Sequence, residues 1–231
     1  MFSILLLGFL IGLQHALEAD HVAAVASLVT NDRGIGATAR QGLLWGVGHA
    51  LTLFLFAGLV LMMDAVIPAR LAQFLELTVG LMLVLLGLDV LRRLYRERIH
   101  FHLHRHGEVT HFHAHAHPQR GDHAHDPHEH QHPPRLPWRA LFVGMMHGMA
   151  GSAALILLTL ETVASPMEGL IYISLFGLGS IAGMGLLAVV IAVPLRYSAN
   201  TLIWAHNGLK GSVGLLTLGL GLFLVYNNAM I

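Results

Sequence analysis

The sequence predicts an all-α polytopic membrane protein in which six transmembrane helices form two inverted three-helix repeats. Three observations carry this reading. The 231 residues are 55% hydrophobic and only 11% charged, with a mean hydropathy of +0.65, whereas a soluble domain carries about 25% charged residues. The apolar residues fall into six runs, each near the roughly 20 residues that a bilayer core requires. The chain also matches itself, in order and in register. Gly12-Leu-Gln-His15-Ala pairs with Gly144-Met-Met-His147-Gly, Leu44-Trp-Gly-Val-Gly48-His49 with Leu175-Phe-Gly-Leu-Gly179-Ser180, and Val79-Gly-Leu81 with Val213-Gly-Leu215. Each half holds an odd number of spans, so the halves must be inverted. Inverted repeats are a transporter architecture whose site lies near the midplane where the repeats meet.

Span 1 is expected over Phe2–Leu28, followed by a short polar connector containing Arg33 and Arg40. Span 2 follows over Gly42–Met63, ended by a turn at Pro68, and span 3 over Leu71–Leu94. A long polar segment, 95–137, divides the first repeat (1–94) from the second (138–231). Span 4 covers Trp138–Leu160, span 5 Gly169–Pro194 and span 6 Gly208–Tyr226, with a connector over Leu195–Asn207. Of the thirteen Lys and Arg residues, only Arg70 falls on the side opposite the long segment. The positive-inside rule makes the crowded side cytoplasmic. The protein is thus expected in a plasma membrane, the inner membrane of a bacterium, with both termini outside. Trp45, Trp138 and Trp204 are expected at the cytoplasmic boundary as an aromatic belt. The formal net charge is zero and there is no cysteine. Nucleic acid is therefore not an expected partner, and thiolate sites and disulfides are excluded.

Span 1 contains Gln14-His15-Ala-Leu-Glu18-Ala-Asp20-His21. An ionisable group inside a membrane span costs roughly 2.5–3.5 kcal/mol on insertion scales, so such groups usually face a cavity or a partner. His49 in span 2 and His147 in span 4 join them. At a rise of about 1.5 Å per residue the four imidazoles lie roughly 10–20 Å deep, where they can line one path. Imidazole with carboxylate suits Ni²⁺, Co²⁺, Zn²⁺ or Cu²⁺ and disfavours Mg²⁺ and Ca²⁺. The candidate metal residues are His15, Glu18, Asp20, His21, His49 and His147. At about 100° per residue a straight helix puts His15, Glu18 and His21 on one face and turns Asp20 away. Either the helix is distorted there, or Asp20 acts by orienting His21 or His49 through a ring N–H. Asp89 is expected to pair with Arg92 and Arg93, one turn away.

Thirteen of the eighteen histidines lie in the long segment: His100, His102, His104, His106, His111, His113, His115, His117, His123, His125, His128, His130 and His132. Such a tract reads as a metal-binding loop. It lacks the apolar residues for a core, so disorder without metal is expected.

The residues His15-Ala-Leu-Glu-Ala-Asp20-His21 and Gly46-Val-Gly48-His49-Ala50 resemble the nickel/cobalt transporter family. His147-Gly-Met-Ala-Gly151-Ser152 resembles its compact six-span, UreH-like branch. The resemblance implies His15, Asp20, His21 and His49 as the metal-recognition positions. It also implies Ni²⁺, or Co²⁺, as transported substrate, with the bilayer as environment and a cytoplasmic nickel chaperone as a candidate partner. The expected function is transport of a divalent transition metal through the intramembrane site, with the His-rich loop binding metal in the cytoplasm. The alternatives are efflux of the same metals, or a non-transporting accessory protein that delivers nickel to metalloenzyme assembly. No enzyme is expected. There is no Gly-x-x-x-x-Gly-Lys element for a nucleotide, and His15-x₅-His21 is not the His-Glu-x-x-His spacing of a zinc hydrolase.

Overall fold

The breaks in the polar runs become breaks in the structure, a computed structural model that describes residues 2–30, 34–63, 68–96, 99–106, 109–116, 137–150 and 165–229. Span 1 is two helices, α1 (Phe2–His15) and α2 (Ala19–Val29). This departs from the single helix expected. The first helix closes with tight bonds from Leu17 N to the Gln14 carbonyl (2.9 Å) and from Glu18 N to the His15 carbonyl (3.1 Å). Glu18 is then extended, at φ −63° and ψ 148°. The helix restarts with Val22 N donating to the Glu18 carbonyl at 2.9 Å. The Asp20 carboxylate accepts from the His21 backbone N–H at 2.8 Å. Short acidic side chains compete in this way with the helical ladder, and they suit a helix N-terminus, where the dipole favours negative charge.

The remaining helices are α3 (Ile35–Met62), α4 (Ala69–Arg96), α5 (Trp138–Ala150), α6 (Pro166–Thr201) and α7 (Ile203–Ala229). Four of these, α3, α4, α6 and α7, are each long and apolar enough to cross a bilayer, which makes the chain a membrane protein with an all-helical body. α5 and the α1–α2 pair are shorter. α6 begins on Ser165, whose side chain accepts from Glu168 N, with Pro166 in the first turn, a standard start. It runs through Pro194 to Thr201, and α7 begins after Leu202 alone. The expected connector at 195–207 is thus almost wholly helical. Ser198 Oγ and the His206 ring N–H both donate to the Leu195 carbonyl, at 2.9 and 3.0 Å, and tie the junction together.

Glycine sets the helix separations, and the close contacts come in matched pairs. A Cβ on Gly12 would collide with the Phe176 carbonyl, and one on Gly144 with the Trp45 carbonyl. One on Gly48 would strike the Leu141 carbonyl and Met145 N, and one on Gly179 the Phe9 carbonyl and Leu13 N. Gly87 meets Leu218 N and the Gly214 carbonyl, while Gly221 meets Val84 N and the Gly80 carbonyl. Small residues at these points let backbones touch, the main source of helix association where lipid removes the hydrophobic drive.

Two apolar clusters fill the body. One includes Val25, Leu28, Trp45, Leu83, Met184 and Ala188. The other comprises Leu53, Ala57, Tyr172, Ile173 and Phe176. Trp138 and Trp204 are exposed, as an interfacial belt requires, but Trp45 is fully buried. That corrects the expectation for Trp45, which lies ten residues into α3, about 15 Å along it. Asp89 pairs with Arg139 of α5 at 2.6 Å and more loosely with Arg93 at 3.5 Å. The shorter partner comes from tertiary packing, where one turn of helix suggested only the Arg92/Arg93 cluster.

Within the His-rich segment, residues 99–106 and 109–116 pair as an antiparallel hairpin, His100 opposite His115, His102 opposite His113 and His104 opposite His111. Alternation of histidine with other residues is a period-two, strand-like pattern, which a compositional reading of disorder does not use. His117, His123, His125, His128, His130 and His132 lie outside the described residues.

Candidate metal centre

The break between α1 and α2 carries His15 on one helix end and Asp20 and His21 on the next helix start. α3 and α5, held together through Gly48, Gly144 and Gly148, bring His49 and His147 to the same place. The ring centroids of His21 lie 4.3 Å from His15, 5.0 Å from His49 and 4.2 Å from His147. Those of His49 lie 5.3 Å from His15 and 5.8 Å from His147. All four imidazoles expected from the sequence are therefore brought into one cluster. His21, His49 and His147 are essentially fully buried.

The hydrogen bonds assign roles to the ring nitrogens of His15, His21 and His147. A carboxylate only accepts, so the imidazole atom facing it must carry the proton. His15 Nδ1–H donates to Glu18 Oε1 at 2.7 Å. His21 Nδ1–H donates to Asp20 Oδ1 at 2.8 Å, and His147 Nε2–H donates to Asp20 Oδ2 at 3.0 Å. The opposite nitrogens, His15 Nε2, His21 Nε2 and His147 Nδ1, are left as lone pairs. These, with both nitrogens of His49, are buried and have no hydrogen-bond partner among the described residues. A buried polar atom without a partner costs about 1–3 kcal/mol, so a cluster of them calls for a ligand. Metal-binding histidines characteristically donate their second N–H to a carboxylate, which fixes the tautomer and raises basicity.

Among the described residues, two groups have ligand atoms mutually within 4.8 Å: His15, His21 and His49, and Asp20, His21 and His147. They share His21. Glu18, with a side chain 56% exposed, bonds His15 and lies 3.9 Å from His21 Nδ1. Asp20, 29% exposed, bridges His21 and His147. Both alternatives left open by helical geometry thus occur together: the helix is distorted, and Asp20 orients an imidazole through its ring N–H.

Two residues of the cluster were missed by sequence reasoning. The Trp45 ring centroid lies 5.5 Å from His21, 6.1 Å from His49 and 5.6 Å from His147. The Phe176 ring is 5.1 Å from His15. The available signal was the internal match of Leu44-Trp45-Gly46 with Leu175-Phe176-Gly177, which places an aromatic residue at equivalent points of both halves.

The urease accessory protein UreH of Bacillus sp. (strain TB-90) is 34% identical to this chain over 228 residues, covering 98% of the chain and 92% of that protein. No family model and no solved structure matches.

Proposed function

Because the chain belongs to the family of the urease accessory protein UreH, we propose that it moves a divalent transition metal, Ni²⁺ or Co²⁺, across a membrane through the histidine cluster. One observation carries this reading. Four imidazoles from three separate segments converge in an apolar body, and their inward nitrogens have no protein partner among the described residues. In this reading His15, His21, His49 and His147 supply nitrogen ligands, while Glu18 and Asp20 hold three of them in the binding tautomer. His21 belongs to both candidate groups. The cargo can therefore pass from the His15–His21–His49 side to the Asp20–His21–His147 side by exchanging ligands about one shared imidazole.

Six spans in two inverted repeats complete the reading, with α1–α2 and α5 as the membrane segments that begin each half. The matched glycine contacts support it. Phe9, Gly12 and Leu13 stand to Phe176 and Gly179 as Leu141, Gly144 and Met145 stand to Trp45 and Gly48. The reciprocal contacts of Gly87 and Gly221 extend the same exchange to the third spans. Discontinuous helices and a site where the repeats meet are features of such transporters. The excess of Arg and Lys supports a cytoplasmic His-rich segment, both termini outside and residence in a plasma membrane. Its histidines then hold the metal at the cytoplasmic mouth, where a nickel chaperone is the fitting partner.

A second reading is favoured by the relative's name: an accessory protein that binds nickel for urease assembly without moving it. Radiolabelled Ni²⁺ and Co²⁺ flux into proteoliposomes separates the two. Transport predicts flux that His21→Ala abolishes, whereas binding without flux in the unmodified protein selects the accessory role. Wild-type flux in His21→Ala would rule out the site.

A further inference from the structure

On α3, four residues at a spacing of four, Trp45, His49, Leu53 and Ala57, are each fully buried. Residues four apart share a helix face, so they form one inward stripe with the histidine second in line. On α6 the internal match to Leu44–His49 gives the corresponding stripe Phe176, Ser180, Met184 and Ala188, all buried to within 2%. The two apolar clusters divide these stripes crosswise. Trp45 joins Met184 and Ala188 in one cluster, and Phe176 joins Leu53 and Ala57 in the other. His49 and Ser180, the polar second members, are fully buried between them along the two stripes. The stripes therefore run antiparallel, with a polar layer between two apolar plugs of the same construction. Each plug is an aromatic ring from one half set against a large and a small side chain from the other.

The rings also touch the histidines. Trp45 packs against His21, His49 and His147, and Phe176 packs against His15. Beyond Trp45, away from the histidines, lies a narrow apolar crevice lined by Val25, Leu28, Val29, Gln41 and Ala188. The Trp45 indole N–H and the Gln41 Oε1 are buried without a hydrogen-bond partner among the described residues. An opening that hydrates Trp45 would give its N–H a partner.

We propose that Trp45, with Met184 and Ala188, and Phe176, with Leu53 and Ala57, are the two gates of the metal path, and that the conformation described here is the occluded one. The proposal rests on the transport reading. A hydrated cation does not cross an apolar constriction, because such a constriction excludes water. With both plugs closed, the buried rings of His21, His49 and His147 are shut off along the α3 and α6 stripes, while Glu18 and Asp20 at the α1–α2 break stay partly exposed. Because the plugs are made from exchanged parts of the two halves, a rearrangement that frees Trp45 in one half has its counterpart in freeing Phe176 in the other. The Trp45 gate faces the membrane side that bears residues 97–137, since α3 starts near that side and α6 starts at the other. The two gates also differ chemically: Trp45 carries an N–H that can gain a partner on opening, and the Phe176 ring has no such group.

The chain has no cysteine, so a single Ser180→Cys change places one thiol in the layer between the plugs. Its labelling by a membrane-impermeant thiol reagent is followed from each face in right-side-out and inverted vesicles. In the otherwise unmodified protein labelling is slow from both faces. Adding Trp45→Ala should speed it by about 10-fold or more from the face bearing the His-rich segment and leave the other face slow. Adding Phe176→Ala should do the reverse. A Trp-to-Ala change can loosen the whole bundle, so Trp45→Leu is run beside it and must also open the same face only. Unchanged labelling, or a rise from both faces in the Phe176→Ala and Trp45→Leu proteins, would overturn the gates. Side-specific labelling in a protein that moves no Ni²⁺ would instead keep the gates and overturn the transport reading.

Discussion

Asp20 holds two imidazoles at once, one from its own helix and one from α5, with one carboxylate oxygen for each. An ionised carboxylate can accept both N–H donors, and an amide cannot, because one of its two ends is itself a donor. Asp20→Asn therefore keeps the shape but sets an N–H against one ring nitrogen, forcing that ring to flip or change tautomer. The expected result is a 10- to 100-fold loss of Ni²⁺ affinity, the usual effect of losing a ligand-orienting carboxylate, measured by equilibrium dialysis on the purified protein. Glu18 is more exposed and hydrogen-bonds one ring, His15, with His21 farther off at 3.9 Å, so Glu18→Gln should cost less in the same assay. The histidines were legible from sequence because an imidazole deep in a span needs a reason to be there. The division of labour between the two acids was not. A straight helix favours Glu18 and turns Asp20 away, and only the break at residues 16–18 gives Asp20 its reach to His147.

That break belongs to the scale of elements, where glycine carries most of the specification. A methyl group added at Gly48 would enter the Leu141 carbonyl, and one at Gly179 would enter the Phe9 carbonyl. Backbone cannot yield as a flexible side chain does, and overpacking of this kind costs about 1–3 kcal/mol. Gly48→Ala and Gly179→Ala should each lower the thermal midpoint of the detergent-solubilised protein by several degrees. Gly34→Ala, where a Cβ meets nothing, should leave it unchanged. If only one of the two contact glycines proved sensitive, their equivalence would be lost. The long helices α3, α4, α6 and α7 could be read from their apolar runs alone. The fate of Pro194 could not. Proline usually marks an end, yet α6 continues through it, and the junction beyond is tied by Ser198 and His206.

At the scale of the whole molecule the two described strands of the His-rich segment, residues 99–106 and 109–116, pair with each other, and the body is built from the helices. No hydrogen bond or ion pair between the strands and the helices is seen among the described residues, and Asp89 and Arg139 join α4 to α5 on either side of the segment. Replacing residues 97–136 with a short flexible linker should therefore leave the helical content and the thermal midpoint of the body intact. The number of Ni²⁺ ions bound per chain should fall, which metal analysis of the dialysed protein would count. Unfolding of the shortened protein would instead show that the segment supports the body. The amino-acid sequence alone carries the class of the protein, its long spans, the internal match and the identity of the four clustered histidines. Each of these follows from local composition and from the cost of polarity in lipid. The packing of the helices settles which nitrogens lack a partner among the described residues, which carboxylate serves which ring, and that Trp45 and Phe176 pack against the cluster. Those features depend on where helices far apart in sequence touch, and that is set by backbone contacts at glycines. A glycine in a sequence marks where another helix can approach, but not which helix does.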